Sequence, residues 1–251
     1  MRNVSLLIVM LCMSVALSAQ LPCPNPAPLT CGENTILLSE DWESDNTLGW
    51  TGDLGGTTSG QGNNSNGLWN IDNNGTGSSR TGPLVGNLCD EGAGSYVYFE
   101  ASGPTVPEAL LNFPEPYDLT DVDQGELSFY WHAAGDPGEG FFDLEASIDG
   151  GATWVSIFNL DSGDTPMQSD PFTLETIDLS NFVGETVLFR FNVRNTSFTA
   201  DFAFDNIQIQ VCTEIPAPIP TLGEWSIILL SILLLIIGLT YIRIRQYGMN
   251  L

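Results

Sequence analysis

From Trp225 to Ile242 the chain runs through eighteen residues without a charge. No element of a small soluble domain uses such a run easily. At 1.5 Å per residue, a helix of this length rises about 27 Å, close to the thickness of a hydrocarbon core. Trp225 and Tyr241 stand near its two ends, where amphipathic rings favour the membrane interface. Arg243 and Arg245 follow at once, so the carboxyl end is expected on the cytoplasmic side. Residues 225–242 are therefore read as a transmembrane helix and 243–251 as a basic cytoplasmic tail.

The other end mirrors this arrangement. Residues 1–19 begin with Arg2, continue through an apolar run from Val4 to Leu17, and close on Leu17-Ser18-Ala19. This is the pattern of a secretory signal peptide cut after Ala19, and it would carry Cys12 away. Between the two ends lie three arginines and all 31 acidic residues, a net charge of −28 against −25 for the whole chain. There is no lysine and one histidine, His132. Such a chain offers no basic footprint for nucleic acid, no soft attachment to anionic lipid, and neither a His-rich zinc site nor a ready Ser-His-Asp triad.

Residues 20–35 are rich in proline and are expected to form an extended leader. Residues 213–224, with TEIPAPIP, read as a semi-rigid stalk. The intervening 36–212 form one domain. Its apolar runs are short and mostly alternating: 95–102, 126–133, 141–148, 154–160, 172–179, 186–194 and 202–211. Gly, Asn, Asp and Pro separate them. The predicted class is all-β, an antiparallel two-sheet jelly-roll sandwich. Thr51–Gly82, dominated by Gly, Asn, Ser and Thr, reads as long loops around one short strand near Trp69 and Ile71. Cys23, Cys31, Cys89 and Cys212 would survive export as two disulfides with three possible pairings.

The tail carries a resemblance. Ile219-Pro220-Thr221-Leu222-Gly223-Glu224-Trp225, an apolar span and a short Arg tail resemble the bacterial IPTL-type carboxy-terminal sorting signal, with Ser226 where that family continues with Gly. The resemblance implies membrane-sorting machinery as a partner. A second resemblance covers about 36–211. Glu40-Asp41-Trp42-Glu43, Gly49-Trp50, Leu68-Trp69-Asn70, Gly82-Pro83, the segment Gly94 to Ser102, Leu127 to His132, and Phe202 to Ile207 follow the order of a MAM domain, a jelly-roll module of extracellular adhesive proteins. Its cysteines are placed differently. Carried over by motif, the resemblance implies calcium held by Asp41, Glu43 and Asp205, with Asp90 as a further candidate.

Other motifs have plainer readings. Ser147-x-Asp149-x-Gly151-x-Thr153-Trp154 has the Asp-box pattern, and a hairpin clasp is expected from it. Asp143 and Glu145 alternate on one strand; paired carboxylates can serve glycoside hydrolysis, but alternating acids also describe a solvated face. The aromatics Trp42, Trp50, Trp69, Tyr96, Tyr98, Tyr130 and Trp131 are either core or a sugar-stacking platform, and His132 is expected to be structural. Asn63, Asn74 and Asn195 open glycosylation sequons. The expected function is a non-catalytic, exported surface protein that binds a glycan or protein ligand. A surface carbohydrate-active enzyme and a structural envelope component are the alternatives.

Overall fold

The computed structural model describes residues 26–44, 47, 49–57, 67–73, 75–76, 78–86, 94–101, 108–214 and 222–248. Cys23, Cys89, Asp90, Ile219, Pro220, Thr221, the sequons at Asn63 and Asn74, and the expected signal peptide lie outside them. The chain divides into two compact units, Met1–Thr213 and Glu214–Leu251.

The first unit is built from thirteen described strands. In order they are β1 Glu33–Glu40, β2 Thr51–Gly52, β3 Leu54–Thr57, β4 Trp69–Asp72, β5 Tyr96–Phe99, β6 Ala109–Asn112, β7 Tyr117–Asp118, β8 Gln124–His132, β9 Gly140–Ser147, β10 Val155–Asp161, β11 Thr173–Asp178, β12 Thr186–Asn195 and β13 Phe202–Thr213. The first sheet has the order β11-β8-β13-β5-β4-β3, and β1 also pairs with β13. The second has the order β10-β9-β12-β6-β2, and β7 also pairs with β12. Only β3–β4 is parallel among these pairs. This is the expected all-β, two-sheet class. All seven alternating runs are strands, within a few residues at each end. The domain starts earlier than residue 36, because β1 opens at Glu33 and pairs it with Thr213.

Alternation sets the core. On β12, Val187, Phe189, Phe191 and Val193 point inward and are buried. Phe142 and Leu144 of β9 join them, facing Phe129 and Phe204 of the first sheet. Phe191 lies at the centre, 4.7 Å from Phe204 and 5.1 Å from both Phe142 and Phe113 between ring centroids. Burying aromatic rings of this size supplies most of the driving force for a sandwich. The aromatics Trp42, Trp50 and Trp69 are in this core, and Trp131 packs against it. They form no sugar-stacking platform.

The outer face of the first sheet is covered as well. Tyr96, Tyr98, Tyr130, Phe172 and Ala203 make a second buried cluster there. Phe172 lies 5.7 Å from Tyr96 and 5.5 Å from His132. The Gln168 side-chain amide ties this covering layer together: its Nε2 donates to the carbonyls of Ser78, Thr81 and Gly82. A disulfide joins Cys31 to Cys212 and closes the domain at its two ends.

The second unit is one helix, α1, Leu222–Gly248. Its stretch Trp225–Arg245 is long and apolar enough to cross a membrane. The helix exceeds the expected 225–242 at both ends. Leu, Arg and Gln are good helix formers, so the charged tail prolongs the helix and does not end it.

Candidate functional site

The opening and closing segments of the domain meet at one cleft of about 350 Å³. Asp41, Tyr130, Asn206 and Gln208 are among the residues that line it, with Pro26 of the leader. Two backbone irregularities shape it. Trp42 has a positive φ of 57°, and Asn206 one of 47°. Left-handed backbone costs an ordinary side chain free energy, less for Asn, and persists only where contacts hold it. Trp42 is held by the amide hydrogen bond it donates to Glu40 Oε1 (3.0 Å) and by its buried ring, 4.9 Å from that of Trp50. Asn206 sits in a bulge where β13 slips one residue against β8, between Asp205 and Gln208. Its amide donates to Asp205 Oδ1 at 2.7 Å.

The acids here have distinct tasks. Glu40 accepts the Trp50 indole N–H at 3.1 Å as well as the Trp42 amide. Burial raises its pKa, and these two donors partly offset the rise. Asp41 accepts the Glu43 amide, closing a tight turn. Glu43 reaches the amide of Ser95 at 2.7 Å and so ties the opening loop to the start of β5. Asp205 is buried across from Tyr130. Burial, and then the charge of Asp205, raise the Tyr130 pKa. Of the three residues implied for calcium, Asp41 lines the cleft; Glu43 and Asp205 are not among its lining residues, Asp205 standing beside Asn206 and across from Tyr130. Among the described residues no three His, Cys, Asp or Glu side chains are gathered so as to hold a metal ion.

The paired acids on β9 occupy the outward face of the second sheet. Arg194 Nη2 donates to Asp143 Oδ2, and Ser156 donates to Asp143 Oδ1 at 2.7 Å. Arg190 Nε donates to Glu145 Oε2 at 2.6 Å, and Asn192 reaches the same oxygen and Glu108. The Arg190 guanidinium also stacks 4.0 Å from the Trp154 ring centroid. Each carboxylate is thus matched with an arginine across the β9–β12 pair.

The Asp-box is the clasp its sequence implies. Asp149 accepts the hydroxyl and amide of Thr153 and the hydroxyl of Ser147. Gly150 and Gly151 supply φ of 70° and 89°. These donors, Thr153 first, lower the Asp149 pKa to about 2. His132 is fully buried; burial pushes its pKa down to about 4, against the charge of Asp170 and the carbonyls of Gln168 and Met167. Burial thus favours its neutral form near neutral pH.

A buried carboxyl pair, Glu100 and Asp201, escapes sequence reading. Asp201 accepts the Thr81 hydroxyl at 2.7 Å and the Ala101 amide at 2.9 Å. Ser78 donates to Glu100 at 3.1 Å. Burial and then the charge of Glu100 raise the Asp201 pKa well above its usual range.

Comparison with known proteins matches residues 217–243 to the family model described as the IPTL-CTERM motif. No curated protein sequence matches the chain. Among solved structures, the domain is similar to the K3 cleaved adhesin domain of Lys-gingipain from Porphyromonas gingivalis (14% identity, 70% of this chain and 99% of that one, TM-score 0.44). It is similar to the CBM22-1 xylan-binding domain of Xyn10C from Paenibacillus barcinonensis (15%, 74% and 99%, TM-score 0.41). A cyclase from Fischerella sp. TAU is a further likeness (11%, 73% and 100%, TM-score 0.46). The motif and the apolar helix together fit an exported, cell-surface or membrane-anchored protein.

Proposed function

We propose that this chain is a non-catalytic recognition or adhesion module, exported and displayed at the cell surface through its carboxy-terminal sorting signal. The observation that carries the reading is the union of two features. A β-sandwich closed by Cys31–Cys212 is followed by the matched motif and membrane-length helix. The acids that would favour the glycosidase alternative, Asp143 and Glu145, are both engaged by arginine.

Protease treatment of intact cells tests display, and beads coated with the full chain test adhesion. Digestion of the domain on unbroken cells and bead capture of cells or matrix are expected. Protection from protease would overturn display. Sugar release from a panel of polysaccharides would instead favour the enzyme.

Calcium bound near Asp41, Glu43 and Asp205 is a separate proposal, supported by the meeting of the acidic opening with the closing strand at one cleft. Millimolar calcium is expected to raise the melting temperature, and Asp205→Ala or the milder Asp41→Asn to abolish the rise. The absence of any shift in the unaltered protein would end it.

A further inference from the structure

Strand register lays three rows of side chains across the outward face of the second sheet: Asp161–Phe141–Arg194, Asn159–Asp143–Asn192 and Ser156–Glu145–Arg190. At the first row lies a pocket of about 310 Å³, lined by Phe141, Asp143, Asn159, Asp161 and Arg194 among others. Phe141 is 41% exposed, although it sits within a strand and between polar neighbours. Half of the Arg194 side chain is exposed.

The hydrogen-bonding capacity left over here is mixed. Arg194 gives one N–H to Asp143 and keeps four others that bond nothing among the described residues. The exposed Asn159 amide makes no side-chain hydrogen bond among those residues. Asp161 Oδ1 accepts the amides of Gly138 and Gly163, and Oδ2 accepts none among them. Unused donors and acceptors therefore stand side by side, next to an exposed aromatic ring.

We infer that this pocket binds a pyranose unit of a neutral oligosaccharide, with Phe141 against the sugar ring. The inference rests on the recognition role proposed above and gives it a place and a ligand class. A sugar hydroxyl donates and accepts at once, so it suits a mixed lining. The C–H face of the ring suits the aromatic. An anionic ligand is disfavoured: Asp143 already neutralises Arg194, Asp161 lies beside it, and the exported part carries −28. A cation would meet Arg194. From Phe141 to Glu145 the strand covers about 13 Å, and along that length the exposed Asn159 and Ser156 lie on the path of a longer chain of sugars.

The test is electrophoresis of the full chain in detergent micelles through native gels containing soluble mixed-linkage β-glucan, galactomannan or arabinoxylan, with polygalacturonate as the anionic control. At least one neutral polymer is expected to retard the protein. Phe141→Ala should weaken that retardation roughly tenfold, a loss of about 1.4 kcal/mol of stacking, and Asn159→Ala should weaken it too. Met167→Ala, at an exposed position outside the pocket, should leave it unchanged. Retardation untouched by Phe141→Ala and Asn159→Ala would move binding elsewhere, overturning this inference and sparing the proposed function. Retardation by polygalacturonate alone, or by none of the polymers, would overturn it as well. Protease accessibility and bead adhesion judge the proposed function independently.

Discussion

Arg190 Nε lies 2.6 Å from Glu145 Oε2, and about one sixth of each side chain is exposed. The pair sits between neighbouring strands, with Trp154 stacked on the guanidinium and Asn192 sharing the carboxylate. Removing one partner leaves the other charge poorly solvated, which costs roughly 3 kcal/mol where burial is deep. Arg190→Met is therefore expected to lower the urea midpoint markedly. Adding Glu145→Met should recover much of the loss, because an apolar pair of similar volume leaves no stranded charge. A double variant no more stable than the single one would show that the stacking on Trp154, and not the ion pair, matters at this position.

The buried Glu100–Asp201 pair predicts a pH dependence of definite sign. Asp201 has a raised pKa in the folded state, so the fold holds a proton that the unfolded chain releases near the ordinary value of 3.8. Its contribution is fully present below 3.8 and is lost as pH rises toward the folded pKa. Asp201→Asn removes the titration while keeping an acceptor for the Ala101 amide. Relative to the unaltered protein, the variant's melting temperature should improve steadily as pH rises from 5 to 8. A difference independent of pH would show that Asp201 is ionised throughout.

The same pair marks where sequence reading stops. Tyr96, Tyr98 and Glu100 alternate with Val97, Phe99 and Ala101, which reads as one wet face and one dry face. Both faces are buried, because Phe172 and the chain around Gln168 cover the outer one. That cover is built from residues distant in sequence, so a period of two could not reveal it. The core face was legible for the opposite reason: Val187, Phe189, Phe191 and Val193 repeat at the strand period and need no distant partner. The acids Asp143 and Glu145 were visible as a pair, but their arginines come from β12, and only strand order places them opposite. β1 was partly hidden because Ile36, Leu37 and Leu38 are consecutive and the strand carries a register shift there. The Asp-box was fully legible, since all its hydrogen bonds are local.

That local clasp predicts an acid-side effect. The Asp149 pKa is lowered to about 2, so its contribution is present above the unfolded value of 3.8 and lost as pH falls through about 2. Asp149→Ala strips acceptors from Thr153 and Ser147, and amide exchange at Thr153 should accelerate at neutral pH. Between pH 4 and pH 2 the melting temperature of the unaltered protein should drop toward that of the variant. Parallel curves would mean that the glycines at 150 and 151 hold the hairpin without the carboxylate.

The last prediction concerns covalent closure. Cys31 and Cys212 are 181 residues apart, and their bond removes loop entropy from the unfolded chain worth about 5 kcal/mol. Reduction, or Cys31→Ser with Cys212→Ser, should lower stability by a large share of that figure and leave the strands intact at low temperature. Removal of the signal peptide after Ala19 would leave Cys23 and Cys89 as the remaining cysteines. In an oxidising compartment an even pair of this kind is expected to join. Peptide mapping without reduction should therefore recover a Cys31–Cys212 link and a Cys23–Cys89 link. Free thiols at both Cys23 and Cys89 in protein taken from the cell surface would limit the domain to its single terminal staple.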